Sequence, residues 1–511
     1  MKHTSLLLSI ALSTLAHADI QLPSVLSDHM VLQRGMALPF WGKATGNLIV
    51  TVDAVDGTGK ILCSAKTQAG TNGKFMAQLP EMSATKDPIT IKISCGSDVV
   101  VLQDVLVGEV WLCGGQSNME WKVAGCTGAT EFAATLPSTV RSFTPPHAMA
   151  ARPLDDLSTK WVIATPEATM GFTAVGGWFA ANIGSTLDVP VGILSINWGG
   201  TLAEPWTPID LAQGHPMFAG IVAKQQDAGV AFEQLASEKA DSVVDDATPT
   251  STVKAPAPSA DPAHPLAQSS VFGSKWNAMI APVVPFGIRG ALWYQGESNA
   301  DRADQYRELL PLMIESWRVR WNEGDFPFGI VQLANFRAPS EDPVEGQWSA
   351  LRDAQLNTSR VVPNCGLAVT IDVGDADDIH PRNKQAVADR LAVWALSQVY
   401  ARGGEWSGPL YEKSEVQGSA IKITFAHAEG LGGAKGAPVG GFAIAGSDGR
   451  FHWANAKVSG TTVTVSSPEV ANPTVVRYAW SSNPTRANLV NEAGLPASPF
   501  ATDRPMTKPI R

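Results

Sequence analysis

A serine stands at the end of an apolar run broken by two glycines, in Val110-Trp111-Leu112-Cys113-Gly114-Gly115-Gln116-Ser117-Asn118-Met119. A strand ends this way when its last side chains must stand exposed at the edge of a sheet. Ser117 placed there has the setting of a nucleophile, provided that a base and an oxyanion stabiliser come from elsewhere in the chain. The spacing is not the G-x-S-x-G elbow, because Met119 takes the place of the second glycine. The partners must therefore come from a different arrangement.

Elements that could carry those partners begin near residue 106, where apolar strand-like runs alternate with helical segments. That alternation argues for βαβ units and a parallel sheet. The strands read as Glu109–Cys113, Val191–Ile196, Ile288–Trp293, Phe328–Leu333 and Gly366–Ile371. Between them Val175, Trp178, Phe179, Ile183 and Leu187 recur at helical spacing. So do Tyr306, Leu309, Leu310, Met313, Trp317 and Trp321, and finally Val387, Leu391, Trp394 and Leu396. These stripes are core-facing first and ligand-facing second.

Open parallel sheets place their ligands at the carboxyl ends of the strands. Four of the five tails there are glycine-rich or polar: Gly115-Gln116-Ser117-Asn118, Asn197-Trp198-Gly199-Gly200-Thr201, Tyr294-Gln295-Gly296-Glu297-Ser298-Asn299, and Asp372 through Asp375 to Asp377-Asp378-Ile379-His380-Pro381.

Composition bounds the rest. At 511 residues the chain is too long for one core. A net charge of −10 argues against a nucleic-acid partner, which needs a basic face. Lys2, an apolar Leu6–Leu15 run and Ala16-His17-Ala18 read as an export leader over 1–18. No later run approaches the roughly 18 uninterrupted apolar residues of a membrane span. The five cysteines allow Cys63–Cys95 and Cys113–Cys126 pairs or free buried thiols, and leave at least one unpaired.

Residues 19–105 read as a β-sandwich of short strands, with His29 structural within it. The α/β unit takes 106–402. A Pro-, Ala- and Ser-rich insertion at 237–270 is expected to be a flexible surface excursion. Residues 403–511 turn β-rich again. The Gly430–Gly436 stretch lacks the G-K-[ST] ending of a phosphate loop and reads as a solvated turn. With no Cys/His cluster at zinc spacing and no nucleotide fingerprint, no cofactor and no metal are implied.

Together the four tails resemble the blocks of the SGNH hydrolase superfamily, and more narrowly the sialate O-acetylesterase group of carbohydrate acetylesterases. The resemblance rests on Gly115-Gln-Ser-Asn-Met119, Trp198-Gly-Gly-Thr201 with Trp206, Trp293-Tyr-Gln-Gly-Glu-Ser-Asn299, and Ile379-His-Pro381 with Lys384. Val476-Arg-Tyr-Ala-Trp480 and Gly494-Leu-Pro-Ala-Ser-Pro-Phe500 extend it over nearly the whole mature chain.

The resemblance implies an SGNH-type parallel sheet flanked by helices and a serine esterase acting on acetylated carbohydrate, either sialic acid or a plant polysaccharide such as xylan. It implies Ser117 as nucleophile and His380 as base. D-x-x-H spacing selects Asp377 to orient the imidazole, with Asp375 and Asp378 as alternatives. Backbone N–H groups of Ser117 and Gly200, with the Gln295 amide, would form the oxyanion hole. Trp206, and with it Trp121, would line a sugar pocket. Glu297 paired with Glu204 or Asp377 would instead suit a glycosidase, but that chemistry needs no Gly-Gln-Ser-Asn turn. A reading from another class is a carbohydrate-binding protein with a silent core. Oligomeric state is left open.

Overall fold

The computed structural model describes residues 20–243, 261, 263–343 and 346–509. The expected leader over 1–18 lies outside the described residues.

One long strand, Asp98–Gly115, organises the molecule. Its first part alternates exposed and buried positions and pairs antiparallel with Thr85–Cys95. Ile49–Val55 and Ile61–Gln68 complete that sheet, and the pair Leu38–Lys43 and Lys74–Leu79 packs against it. From Val105 onward every residue of the long strand is buried. Alternation marks a sheet with one face in water, and an unbroken apolar run marks a sheet covered on both faces. The division expected at 105/106 thus falls inside a single strand that serves both sheets.

The second sheet runs Cys365–Ala368, Phe328–Val331, Gly290–Tyr294, Asp98–Gly115, Val191–Asn197, Val140–Phe143, Trp161–Ile163. All neighbours are parallel except the last pair. Successive side chains take opposite faces. Trp111 and Cys113 join Val175, Phe179, Ile183, Leu391 and Trp394 in one core. Val110 and Leu112 join Trp293, Leu309, Trp317 and Leu351 in the other. The helices Ala174–Leu187 and Lys384–Trp394 pack together on the first side, and Ala303–Trp321 packs with Gln347–Val361 on the second.

Two elements of this sheet had no unbroken apolar signature. Val140–Phe143 buries Arg141 and Ser142. The helix Gln347–Val361 buries Arg352, Asp353, Gln355, Asn357 and Thr358 among Trp348, Leu351, Ala354 and Leu356, so polar residues interrupt its apolar pattern.

Arg352 joins the C-terminal strands to the α/β unit. It donates to the carbonyls of Leu333, Ala334, Ser481 and Ser482 at 2.7–2.9 Å. Two four-stranded antiparallel sheets and a two-stranded one make up the described part of that C-terminal region. The stretch expected as a flexible insertion differs at its ends. The helix Ala219–Val243 runs into it, and His264 and Ala267 are buried at its far side. Its centre lies outside the described residues. The five cysteines are all free thiols. No described helix is long and apolar enough to cross a membrane, and no group of three or more metal-ligating side chains occurs among the described residues.

Candidate active site

The nucleophile's position follows from a close approach of two strands. Gly115 has φ +135°, and a Cβ there would lie 2.2 Å from the Tyr294 carbonyl oxygen. Only glycine passes so close to a neighbouring backbone. The next N–H, of Gln116, then donates to that carbonyl at 3.0 Å. Ser117 opens the short helix Ser117–Glu120 beyond the strand end.

His380 Nε2 lies 2.9 Å from Ser117 Oγ, within the reach required of a nucleophile and its base. Asp378 faces the other ring nitrogen, with Oδ1 3.5 Å from Nδ1. The same oxygen accepts the His380 backbone N–H at 2.8 Å. For Asp377, the residue that D-x-x-H spacing selects, the structure shows a backbone contact, its N–H donating to Asp375 Oδ1 at 2.9 Å, and it is Asp378 that faces the ring. The spacing argument had assumed a turn that brings the third residue back. The chain makes an Asx turn instead, which returns the carboxylate of the second.

Asn118 ties the two loops together. Its Nδ2 donates to the Ile379 carbonyl at 3.0 Å and to Glu297 Oε1 at 2.6 Å, and its Oδ1 accepts from Lys384 Nζ. Burial raises the Glu297 carboxyl above its usual range and brings the Lys384 ammonium down to about 8. Burial and then the Lys384 charge hold the His380 imidazole below its ordinary value, against the opposing pull of Asp378. Trp121 stacks on the imidazole at 5.1 Å between centroids.

The expected oxyanion donors fare differently. The Gly199 N–H is taken by Glu120 Oε2 at 2.6 Å. Among the described residues, neither the Ser117 nor the Gly200 N–H meets a backbone or side-chain acceptor. Gln295 is fully buried, and its two amide N–H groups are spent on the Thr201 carbonyl at 3.2 Å and Asn299 Oδ1 at 2.7 Å. As it stands it braces the neighbouring loop and presents no donor outward.

Trp206 is likewise fully buried, with its indole N–H on Thr201 Oγ1 at 3.0 Å and its ring edge-on to Trp293. It is a core residue. The part-exposed rings beside the serine are Trp121 and Trp198, of which only the first was expected to line a sugar pocket. Glu204 is held by Arg302 and Asn299, so it is not free to pair with Glu297. Cys113, behind the nucleophile on the same strand, has its thiol pushed up to about 12 by burial and is no competing nucleophile. A cavity of about 650 Å³ lined by Trp41, Met76 and Asp155 contains none of these residues, and Ser117 is half-buried outside it.

A carboxylate, an imidazole and a hydroxyl in series, beside free backbone N–H groups, can carry out acyl transfer. Residues 270–395 match the family model described as carbohydrate esterase, sialic acid-specific acetylesterase. The sialate O-acetylesterase of Mus musculus is 29% identical over 445 residues, covering 81% of this chain and 80% of that protein. That of Homo sapiens is 28% identical over 519 residues, covering 93% and 91%. The crystal structure of a carbohydrate acetylesterase from Xanthomonas citri is similar at 33% identity and a TM-score of 0.80, over 95% of this chain and all of that one.

Proposed function

Because the chain belongs to the sialate O-acetylesterase-like carbohydrate esterases, we propose that it removes O-acetyl groups from sugars through an acetyl-enzyme on Ser117. The single observation that carries this reading is the 2.9 Å approach of His380 Nε2 to Ser117 Oγ.

Ser117 Oγ attacks the acetyl carbonyl carbon as its proton passes to His380 Nε2. The carbonyl oxygen becomes an oxyanion that meets the N–H groups of Ser117 and Gly200. Collapse expels the sugar alkoxide, which takes the proton from His380. Water then attacks the acetyl-enzyme with His380 again as base, releasing acetate and restoring the serine. Asp378 holds the imidazole tautomer and stabilises the imidazolium. A depressed imidazole pKa supports this cycle, because the base must be neutral at the start.

The leader expected over 1–18 makes the enzyme an exported one, where acetylated polysaccharide or sialoglycan would be met. O-acetylated sialic acid and acetylated xylan are the two substrate classes to compare. Acetate release from each, for the wild type beside Ser117→Ala, tests the proposal. Release that vanishes in the variant supports it and names the sugar. Release that survives removes Ser117 from the mechanism, and silence on both substrates favours a carbohydrate-binding protein.

A further inference from the structure

Glu120 lies on the same short helix as Ser117, three residues on, and has no part in the steps above. Its carboxylate is nonetheless built into the site. Oε2 accepts the Gly199 N–H at 2.6 Å, and Oε1 lies 3.3 Å from His147 Nε2. The His147 ring lies flat on Trp198, with centroids 4.4 Å apart and planes 8° apart. Lys275 Nζ is 4.7 Å from the same indole. The residue before Gly199 and the carboxylate that holds Gly199 are thus both secured by His147.

Gly199 is wedged between that carboxylate and the nucleophile. A Cβ on it would stand 3.2 Å from Glu120 Oε2 and 3.2 Å from Ser117 Cβ. With its N–H committed, only Gly200 of the glycine pair has an N–H to offer an oxyanion. Gly200 has φ +70°, and its Cβ direction opens into empty space. The peptide just before it is held at both ends, its Gly199 N–H by Glu120 and its Trp198 carbonyl by the Thr201 hydroxyl at 2.8 Å.

We propose that Glu120 is a positioning residue for the oxyanion hole: by accepting the Gly199 N–H it aims the Gly200 N–H at the carbonyl oxygen of an ester on Ser117. The proposal rests on the acetyl-enzyme reading above. It also makes a specific claim about what in Glu120 matters. A negative charge close to a developing oxyanion opposes it, since such sites work by donors and dipoles aimed at the new charge. The useful property is therefore the acceptor oxygen and not the charge.

Glu120→Gln and Glu120→Ala separate the two. The glutamine keeps an oxygen for the Gly199 N–H and should stay within about threefold of wild-type kcat. The alanine removes one of the two restraints on that peptide and should lower kcat by up to about 10²-fold, the order of losing one oxyanion donor, with KM for a small acetyl ester little changed. Affinity for a trifluoromethyl ketone, which adds to the serine as a tetrahedral oxyanion, should fall by the same factor as kcat/KM, as expected of an interaction made in the transition state. A merely structural role would not make those two losses track each other.

Wild-type kcat in Glu120→Ala, or a glutamine variant as impaired as the alanine one, would overturn the proposal. So would a raised KM at constant kcat. Should the alanine variant fail to fold, Glu120→Met, which fills the space without an acceptor oxygen for the Gly199 N–H, takes its place: loss of kcat and of ketone affinity together supports the proposal, and wild-type values overturn it. Ser117→Ala run alongside keeps the two readings apart. Activity without Ser117 refutes the acetyl-enzyme itself, whereas an inactive Ser117→Ala beside an intact Glu120→Ala refutes only the role of Glu120.

Discussion

Asp378 Oδ1 stands 3.5 Å from His380 Nδ1 while accepting the backbone N–H of the same histidine at 2.8 Å. One oxygen thus fixes both the course of the chain and the face of the ring. Asp378→Asn should lower kcat by about 10²-fold, and Asp377→Asn should leave it within a factor of about two. The loss is set below the ~10⁴ known for a buried triad aspartate, because the Asp378 side chain is 38% exposed. Steady-state kinetics of the two variants checks the order, and a larger loss from Asp377→Asn would contradict it.

The pH dependence follows from the charges around His380. The imidazole must be neutral to act, and burial with the Lys384 charge lowers its pKa while Asp378 raises it. The acidic limb of kcat/KM should therefore lie below the ordinary histidine value of about 6.5. Lys384→Met removes a cation that disfavours the imidazolium, so the limb should move to higher pH. Asp378→Asn removes an anion that favours it, so the limb should move lower. Profiles that shift together would show that a different group titrates.

Gln295 separates a catalytic from a bracing role. Its amide N–H groups are both spent inside the protein. Gln295→Ala should therefore lower stability by about 1–3 kcal/mol, the penalty for leaving buried carbonyl groups without donors. Denaturant unfolding measures this. A barrier rise of about 2.7–4 kcal/mol with stability unchanged is the mark of a lost oxyanion donor and would return Gln295 to the hole.

The tryptophans divide the same way. Trp206→Ala empties a fully buried site and should cost about 3–5 kcal/mol of stability. Trp198→Ala, at the part-exposed stack with His147, should leave stability nearly unchanged and raise KM for acetylated sugars. Thermal unfolding beside KM for a sugar ester and a small aryl ester distinguishes the two.

Much of this was legible in the sequence because strand tails and helix stripes follow from periodicity. The runs around Val110, Val191, Ala291, Ile330 and Leu367 are strands of one parallel sheet, and the stripes at Val175, Tyr306 and Val387 are helices on its faces. The helix Gln347–Val361 was hidden because Arg352, Asp353 and Gln355, buried through hydrogen bonds, interrupt the apolar pattern of Trp348, Leu351, Ala354 and Leu356. Details of the site were hidden for another reason. Whether Asp377 or Asp378 faces a ring depends on one turn, and whether Gln295 points outward depends on Asn299 and Thr201. Asn118 carries three contacts, to Glu297, to Ile379 and to Lys384 at the start of a helix, and no local pattern announces such a bridge.

The most direct test is to trap the intermediate. The enzyme is mixed with p-nitrophenyl acetate, quenched in acid during the first turnover, digested and mapped by mass spectrometry. The account predicts one acetyl group on the peptide that contains Ser117, formed in a burst with p-nitrophenol and missing from His380→Ala. An acetyl group on any other residue, or full activity with no acetylated Ser117 at any quench time, would contradict it.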